Sequence, residues 1–236
     1  MAHSDGADET QYGFETRAIH VGQEPDPITG AVIVPIYQTS TYAQPRLGQH
    51  TGYEYSRTGN PTRTALEKCV ASLEEGKYGL AFSSGMGAET TIMYLFAPGD
   101  HVLVSNDVYG GTYRLFERVL APYGIQFSYI DMTEPQSVRD SLRENTKAVW
   151  IETPSNPLMK LVDIEAVSRI AREKGATVVV DNTFASPYGQ RPLGLGADSV
   201  VHSSTKYLGG HSDAVGGLVV TSDDALYERL KYLQNA

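Results

Sequence analysis

From residue 61 onward, short apolar runs alternate with longer stretches of helical period. Seven runs have the length and β-branched content of buried strands: Gly79 to Ser83, His101 to Ser105, Gln126 to Ile130, Ala148 to Glu152, Thr177 to Asp181, Ser199 to His202 and Gly217 to Thr221. The first helix is predicted to open at Pro61, with Asn60 as its N-cap and proline in the first turn. Leu66, Cys69, Val70 and Leu73 follow at helical spacing, and Gly76 ends the segment. Further helices are predicted over Met86 to Phe96, Gly111 to Tyr123, Glu134 to Glu144, Asp163 to Lys174 and Asp223 to Gln234. Strands alternating with helices of this length predict an α/β fold: a largely parallel sheet sandwiched by helices.

Residues 1–60 break the pattern. Met1 to Glu9 is acidic, lacks an apolar signal core and reads as a disordered tail over about the first ten residues. Residues 10–60 are punctuated by prolines and glycines, yet Val32-Ile33-Val34, Ile36-Tyr37 and Tyr53-Glu54-Tyr55 are too apolar and aromatic for a free linker. The expectation is an extended, ordered N-terminal arm without a local sheet partner, packing on another subunit, followed by one large domain over residues 61–236.

Composition narrows the function. A net charge of -9 and a pI near 5.1 argue against nucleic acid or an anionic membrane as partner. No apolar run approaches a membrane span of ~18 residues. The single cysteine, Cys69, permits no internal disulfide and is compatible with the cytosol, so a cytoplasmic location is expected. The six histidines lack metal-ligand spacing, and no metal is expected.

Candidate chemistry falls at the ends of the predicted strands, where open α/β sheets bind ligands. Lys206 follows Ser203, Ser204 and Thr205 at one such end, a fixed place for an amine that forms a Schiff base beside anion-binding hydroxyls. Asp181 ends another buried strand. An acid to pair with a pyridinium nitrogen and a lysine to hold an aldehyde are what pyridoxal phosphate requires. Ser84-Gly85-Met86-Gly87 joins a strand to a helix and suits an anion at the helix N-terminus, although such a turn often serves tight packing alone. Tyr109, before Gly110 and Gly111, has room to stack on a planar ring; a tyrosine in a turn is also common in a chain with 15 of them. Tyr55 and Arg57, two apart on an extended segment, offer a hydroxyl and a bidentate cation to a phosphate. A nucleotide-binding α/β protein is the competing reading of the glycine turn. It leaves Lys206 and Asp181 unexplained and lacks an acidic ribose partner at the usual spacing.

From about Phe14 to Ala236 the chain closely resembles the Cys/Met-metabolism family of pyridoxal-phosphate enzymes. The matching motifs include Tyr55-Ser56-Arg57-Thr58-Gly59-Asn60-Pro61-Thr62, Phe82-Ser83-Ser84-Gly85-Met86, Val108-Tyr109-Gly110-Gly111-Thr112, Glu152-Thr153-Pro154-Ser155-Asn156-Pro157, Val180-Asp181-Asn182-Thr183 and His202-Ser203-Ser204-Thr205-Lys206-Tyr207. The resemblance implies the type I fold of pyridoxal-phosphate transferases. It implies that Lys206 binds the cofactor covalently and moves substrate protons, and that Asp181 keeps the pyridine nitrogen protonated. Tyr109 would stack on the ring as a candidate acid/base. Gly85, Met86, Ser203 and Thr205 would hold the phosphate, while Glu152, Asn156 and Thr183 form a second layer. Tyr55 and Arg57 would reach the phosphate of a neighbouring subunit in a homo-oligomer, a dimer of dimers. The substrate would be a small amino acid, and the motifs around Tyr55 and Tyr109 look most like cystathionine γ-lyases, with cystathionine γ-synthases as the alternative. Gly111 replaces the cysteine usual in methionine γ-lyases. Family members run on into a smaller domain that supplies an arginine for the substrate carboxylate. With the chain ending at Ala236, that domain is expected to be absent, leaving at the limit an inactive cofactor-binding fragment, with apolar surface at Leu226, Leu230 and Leu233.

Overall fold

The structure, a computed structural model, describes residues 12–236; the predicted acidic tail lies outside the described residues. Seven strands form one sheet: β1 (Tyr78–Phe82), β2 (His101–Ser105), β3 (Gln126–Ile130), β4 (Thr146–Glu152), β5 (Thr177–Asp181), β6 (Ser199–Ser203) and β7 (Gly217–Thr221), in the order β1-β7-β6-β5-β4-β2-β3. Strands β2 to β6 pair in parallel, and only β7 runs antiparallel to its neighbours β6 and β1. Every predicted strand is present, each within two residues of its expected bounds.

The central strands are near-continuous Val, Ile and Ala because both their faces are covered. On one face Val102, Val104, Trp150, Val179, Val201 and Val219 meet α3 (Gly85–Met93), α4 (Gly110–Arg114) with its π-helical continuation Leu115–Leu120, and α8 (Asp224–Asn235). Phe116 stacks on Phe127 at 4.8 Å and meets Trp150 edge-on at 5.2 Å. Truncating Trp150 to alanine would cost roughly 3–5 kcal/mol. On the other face Val149, Ile151, Val178 and Val180 receive α5 (Pro135–Ser141) and α6 (Ile164–Glu173), while Leu218 and Val220 receive α2 (Pro61–Leu73). Asn60 caps α2 as its sequence implies, accepting from the Thr62 N–H at 2.9 Å.

Two expectations are corrected. Helix α8 does not expose an apolar stripe: Leu230 is 0% exposed, Leu226 and Tyr227 pack on the main core, and Tyr227 stacks on Tyr78 at 3.9 Å. Leu233 is half-buried. The stripe is covered by α3 and β1 of the same chain, contacts that a pattern of apolar spacing does not reveal. The arm, in turn, is not uniformly extended. It begins with α1 (Phe14–His20), whose Arg17 is buried against α2 and donates to the Ser72 carbonyl at 2.5 Å. It also makes its own antiparallel pairing, with Thr41 opposite Tyr55 and flanking bonds from Tyr42 N–H to Glu54 and from Ser56 N–H to Ser40. No helix among the described residues is long and apolar enough to cross a membrane, and no group of three metal-ligating side chains occurs among them.

Candidate functional site

The carboxyl ends of the parallel strands open into a cavity of about 210 Å³. Ten of the twelve residues named from the sequence line it: Gly85 and Met86 from the start of α3; Tyr109 from the loop after β2; Glu152 and Asn156 from the end of β4; Asp181 and Thr183 from the end of β5; Ser203, Thr205 and Lys206 after β6. The parallel register makes this convergence, since Glu152 stands opposite Asp181 and Asp181 opposite Val201, two residues before Ser203.

Helix α3 brings its N-terminus to the rim because Ser84 ends its turn, accepting from the Gly87 N–H at 3.0 Å. The first intrahelical bond runs from Ala88 N–H to the Ser84 carbonyl, so the N–H groups of Gly85 and Met86 have no helical acceptor and suit an anion. Gly85 is required here: a Cβ would lie 2.8 Å from that of Ser203. Gly111 is required for another reason, since its Cβ would fall 2.3 Å from Cε1 of the Tyr109 ring and 2.9 Å from the Met86 sulfur. The missing side chain lets Tyr109 lie at the cavity, 42% exposed.

Lys206 ends a turn held by its own N–H to the Ser203 carbonyl at 3.2 Å, and by the Gly210 N–H to its carbonyl at 2.8 Å. The Thr183 hydroxyl accepts from the Ser203 N–H at 2.9 Å, tying the ends of β5 and β6 together. The Thr205 hydroxyl accepts from the Gly216 N–H at 3.1 Å and donates to the Gly216 carbonyl, so it anchors the opposite wall as well as lining the cavity.

The acids are unusual. Asp181, 7% exposed, accepts from the Thr183 N–H at 2.9 Å. Burial raises its pKa, and the bonds from Thr183 and the charge of His202 oppose the rise. Glu152 accepts from the N–H groups of Tyr109 at 2.7 Å and Asn156 at 2.8 Å, positioning both loops. Burial and the charge of Asp181 push it up to about 8 despite those bonds. The third acid, Glu89, was not among the residues singled out from the sequence. It lies four residues after Gly85 on α3, 4% exposed, and its pKa is raised well above the usual carboxylate range by burial and then by Asp181. The available signal was an acid at a core-facing position between Ala88 and Ile92. Phe184, Pro154 and Val215 also line the cavity without having been singled out.

Tyr55 and Arg57 are not in the cavity of their own chain. The Arg57 guanidinium lies 5.5 Å from the centre of the Tyr55 ring, and Arg57 makes no salt bridge among the described residues.

The donor set fits pyridoxal phosphate: a helix N-terminus with free N–H groups for the phosphate, a buried carboxyl for the ring nitrogen, an aromatic side chain lining the cavity, and a lysine at the rim.

Comparison with known proteins gives the same picture. The family model described as Cys/Met metabolism PLP-dependent enzyme matches residues 15–236. The chain is 64% identical over 225 residues to a probable cystathionine gamma-synthase of Herpetosiphon aurantiacus, covering 95% of this chain and 70% of that protein. It is 57% identical to a cystathionine gamma-lyase of Bacillus subtilis, covering 94% and 59%. Among solved structures it superimposes on a cystathionine gamma-lyase from Lactobacillus plantarum complexed with L-serine with a TM-score of 0.93 and 51% identity, covering 95% of this chain and 58% of that one. The chain thus spans 58% to 70% of the length of these relatives.

Proposed function

The chain belongs to the Cys/Met metabolism PLP-dependent enzyme family, and from that premise we propose that it acts in the cytoplasm on the γ-carbon–sulfur bond of an amino acid, as a cystathionine γ-lyase that releases cysteine, 2-oxobutanoate and ammonia. The observation that carries this reading is the convergence of Lys206, Asp181, Tyr109 and the N-terminus of α3 on one cavity. When bound, pyridoxal phosphate supplies the carbonyl that captures an amine and the electron sink that acidifies its Cα proton. Lys206 Nζ would hold the cofactor and, once free, carry protons between substrate carbons. Asp181, buried, would keep a proton on the ring nitrogen. The Gly85 and Met86 N–H groups and the Ser203 and Thr205 hydroxyls would hold the phosphate. Tyr109, its N–H fixed on Glu152, would move a proton at the substrate. Asn156 and Thr183 complete the wall. We further propose that Tyr55 and Arg57 serve the phosphate of a second copy in a homo-oligomer, in keeping with their place outside their own cavity.

A second reading is supported by the similarity to the probable γ-synthase: replacement of the γ-substituent of an O-acylhomoserine by cysteine. Both use the same residues up to departure of the γ-group. The decisive test has two parts. Borohydride reduction of the cofactor-loaded protein, followed by peptide mass analysis, should place the cofactor on Lys206, and Lys206→Ala should lose that attachment along with about a thousandfold or more of turnover. Assays with cystathionine alone and with an O-acylhomoserine plus cysteine then separate lyase from synthase. Attachment elsewhere, or none, overturns the cofactor assignment.

A further inference from the structure

Three carboxyl groups, Glu89, Glu152 and Asp181, line one cavity, each less than a tenth exposed. Like charges this close and this dry cannot all ionise. The hydrogen bonds set Glu89 apart from the other two. Asp181 receives an N–H from Thr183, and Glu152 receives N–H groups from Tyr109 and Asn156. Such donors favour the charged form. Glu89 receives no backbone N–H: only the nearby Thr112 hydroxyl acts to favour its charged form, and its Oε2 is buried without a hydrogen-bond partner. A glutamate placed on α3 between Ala88 and Ile92, both in the core, carries a large desolvation cost and no backbone bond to offset it. An orphaned buried polar group calls for an explanation outside the fold.

We propose that Glu89 is a further residue of the cofactor site: a neutral carboxylic acid on the cavity floor that hydrogen-bonds to the bound cofactor and leaves Asp181 as the floor's charged group. The proposal rests on the reading of the cavity as a pyridoxal-phosphate site. The groups facing Glu89 from the surrounding elements are Asp181 on β5 and Glu152 on β4, with His202 on β6 acting on Asp181, and Lys206 and Tyr109 sharing the cavity. The desolvation and the Asp181 charge both hold the proton on Glu89. A neutral acid is a donor as well as an acceptor, whereas a carboxylate only accepts. Glu89 therefore offers the cofactor an O–H that Asp181, as the charged group, does not supply.

The test is infrared difference spectroscopy of the full chain with and without pyridoxal phosphate. Beside the stretch of protonated Glu152, the wild type should show a second protonated-carboxyl stretch, absent from Glu89→Gln and shifted when the cofactor binds. Glu89→Gln, a neutral isostere with a donor, should keep cofactor affinity within about threefold, and Glu89→Leu should lose about tenfold or more. A Glu89→Gln spectrum that has lost no protonated-carboxyl stretch, or a Glu89 stretch that cofactor binding does not move, overturns the proposal. Equal cofactor affinity in Glu89→Leu and wild type does the same, and if that variant fails to fold the infrared result still decides. Failure of the wild type to bind pyridoxal phosphate, seen by its visible absorption, would instead overturn the reading of the cavity itself.

Discussion

The strand-end rim and the N-terminal arm are built by opposite means. At the rim, bonds between backbone N–H groups and side chains tie neighbouring strand ends and loops: the N–H groups of Tyr109 and Asn156 to Glu152, that of Ser203 to Thr183, and that of Gly216 to Thr205. In the arm, Ile28, Ile33, Ile36 and Leu47 are largely exposed, and Tyr55 and Arg57 meet each other and not the cavity. The rim's groups in the cavity are positioned by their own chain; the arm presents chemistry and apolar surface that the described residues leave uncovered. Apolar exposure on this scale marks a contact surface, which supports the proposal above that Tyr55 and Arg57 serve a second copy.

The largest test of this difference is complementation. Arg57→Ala and Lys206→Ala proteins are each expected to be inactive. After subunit exchange, a quarter of the sites pair an intact Lys206 with an intact Arg57, and roughly a quarter of wild-type turnover should return. Exchanged mixtures that stay dead place Arg57 in its own subunit. Next in size is Asp181→Asn, which keeps shape and removes charge. Turnover should fall roughly 100-fold with the circular dichroism spectrum unchanged; near-normal turnover with cofactor bound contradicts the role.

A smaller effect concerns stability at the rim. Glu152 holds its proton to about pH 8 when folded, against 4.5 for an ordinary glutamate. The folded state therefore binds the proton more tightly, and this contribution is full below the ordinary value and lost as pH rises through 8. Between about pH 6 and about pH 8 the wild type should lose ~2 kcal/mol more than Glu152→Gln, read from urea unfolding. An identical pH slope in both proteins removes Glu152 as the cause. Smallest is the junction of arm and domain. Asn60 caps α2 and also donates to the Tyr37 carbonyl at 2.9 Å. Asn60→Ala should cost ~1 kcal/mol in the same measurement; no loss would show the cap to be idle.

Much of this molecule was legible in one dimension. The seven strands stood out because buried parallel strands are unbroken apolar runs, and the cap at Asn60 follows from local hydrogen-bond chemistry. Helix α1 was missed because it is a seven-residue element fixed by Arg17 against α2, a tertiary contact without periodicity of its own. The break of the predicted helix at Gly111 to Tyr123 into α, π and 3-10 turns was likewise not visible in its spacing.

The candidate site divides in the same way. Lys206, Asp181 and the Ser84 to Gly87 turn were readable because each combines a reactive or anion-binding group with the end of an apolar run. Local sequence determines both the group and the end. Glu89 was not, since an acid within a helix ordinarily faces water, and only the packing of α3 onto the sheet turns this one inward. Nor does sequence say whether Tyr55 meets Lys206 within one chain. Local interactions decide which residues are presented at the ends of elements; long-range packing decides which of those ends meet, and which side chains lose their water when they do.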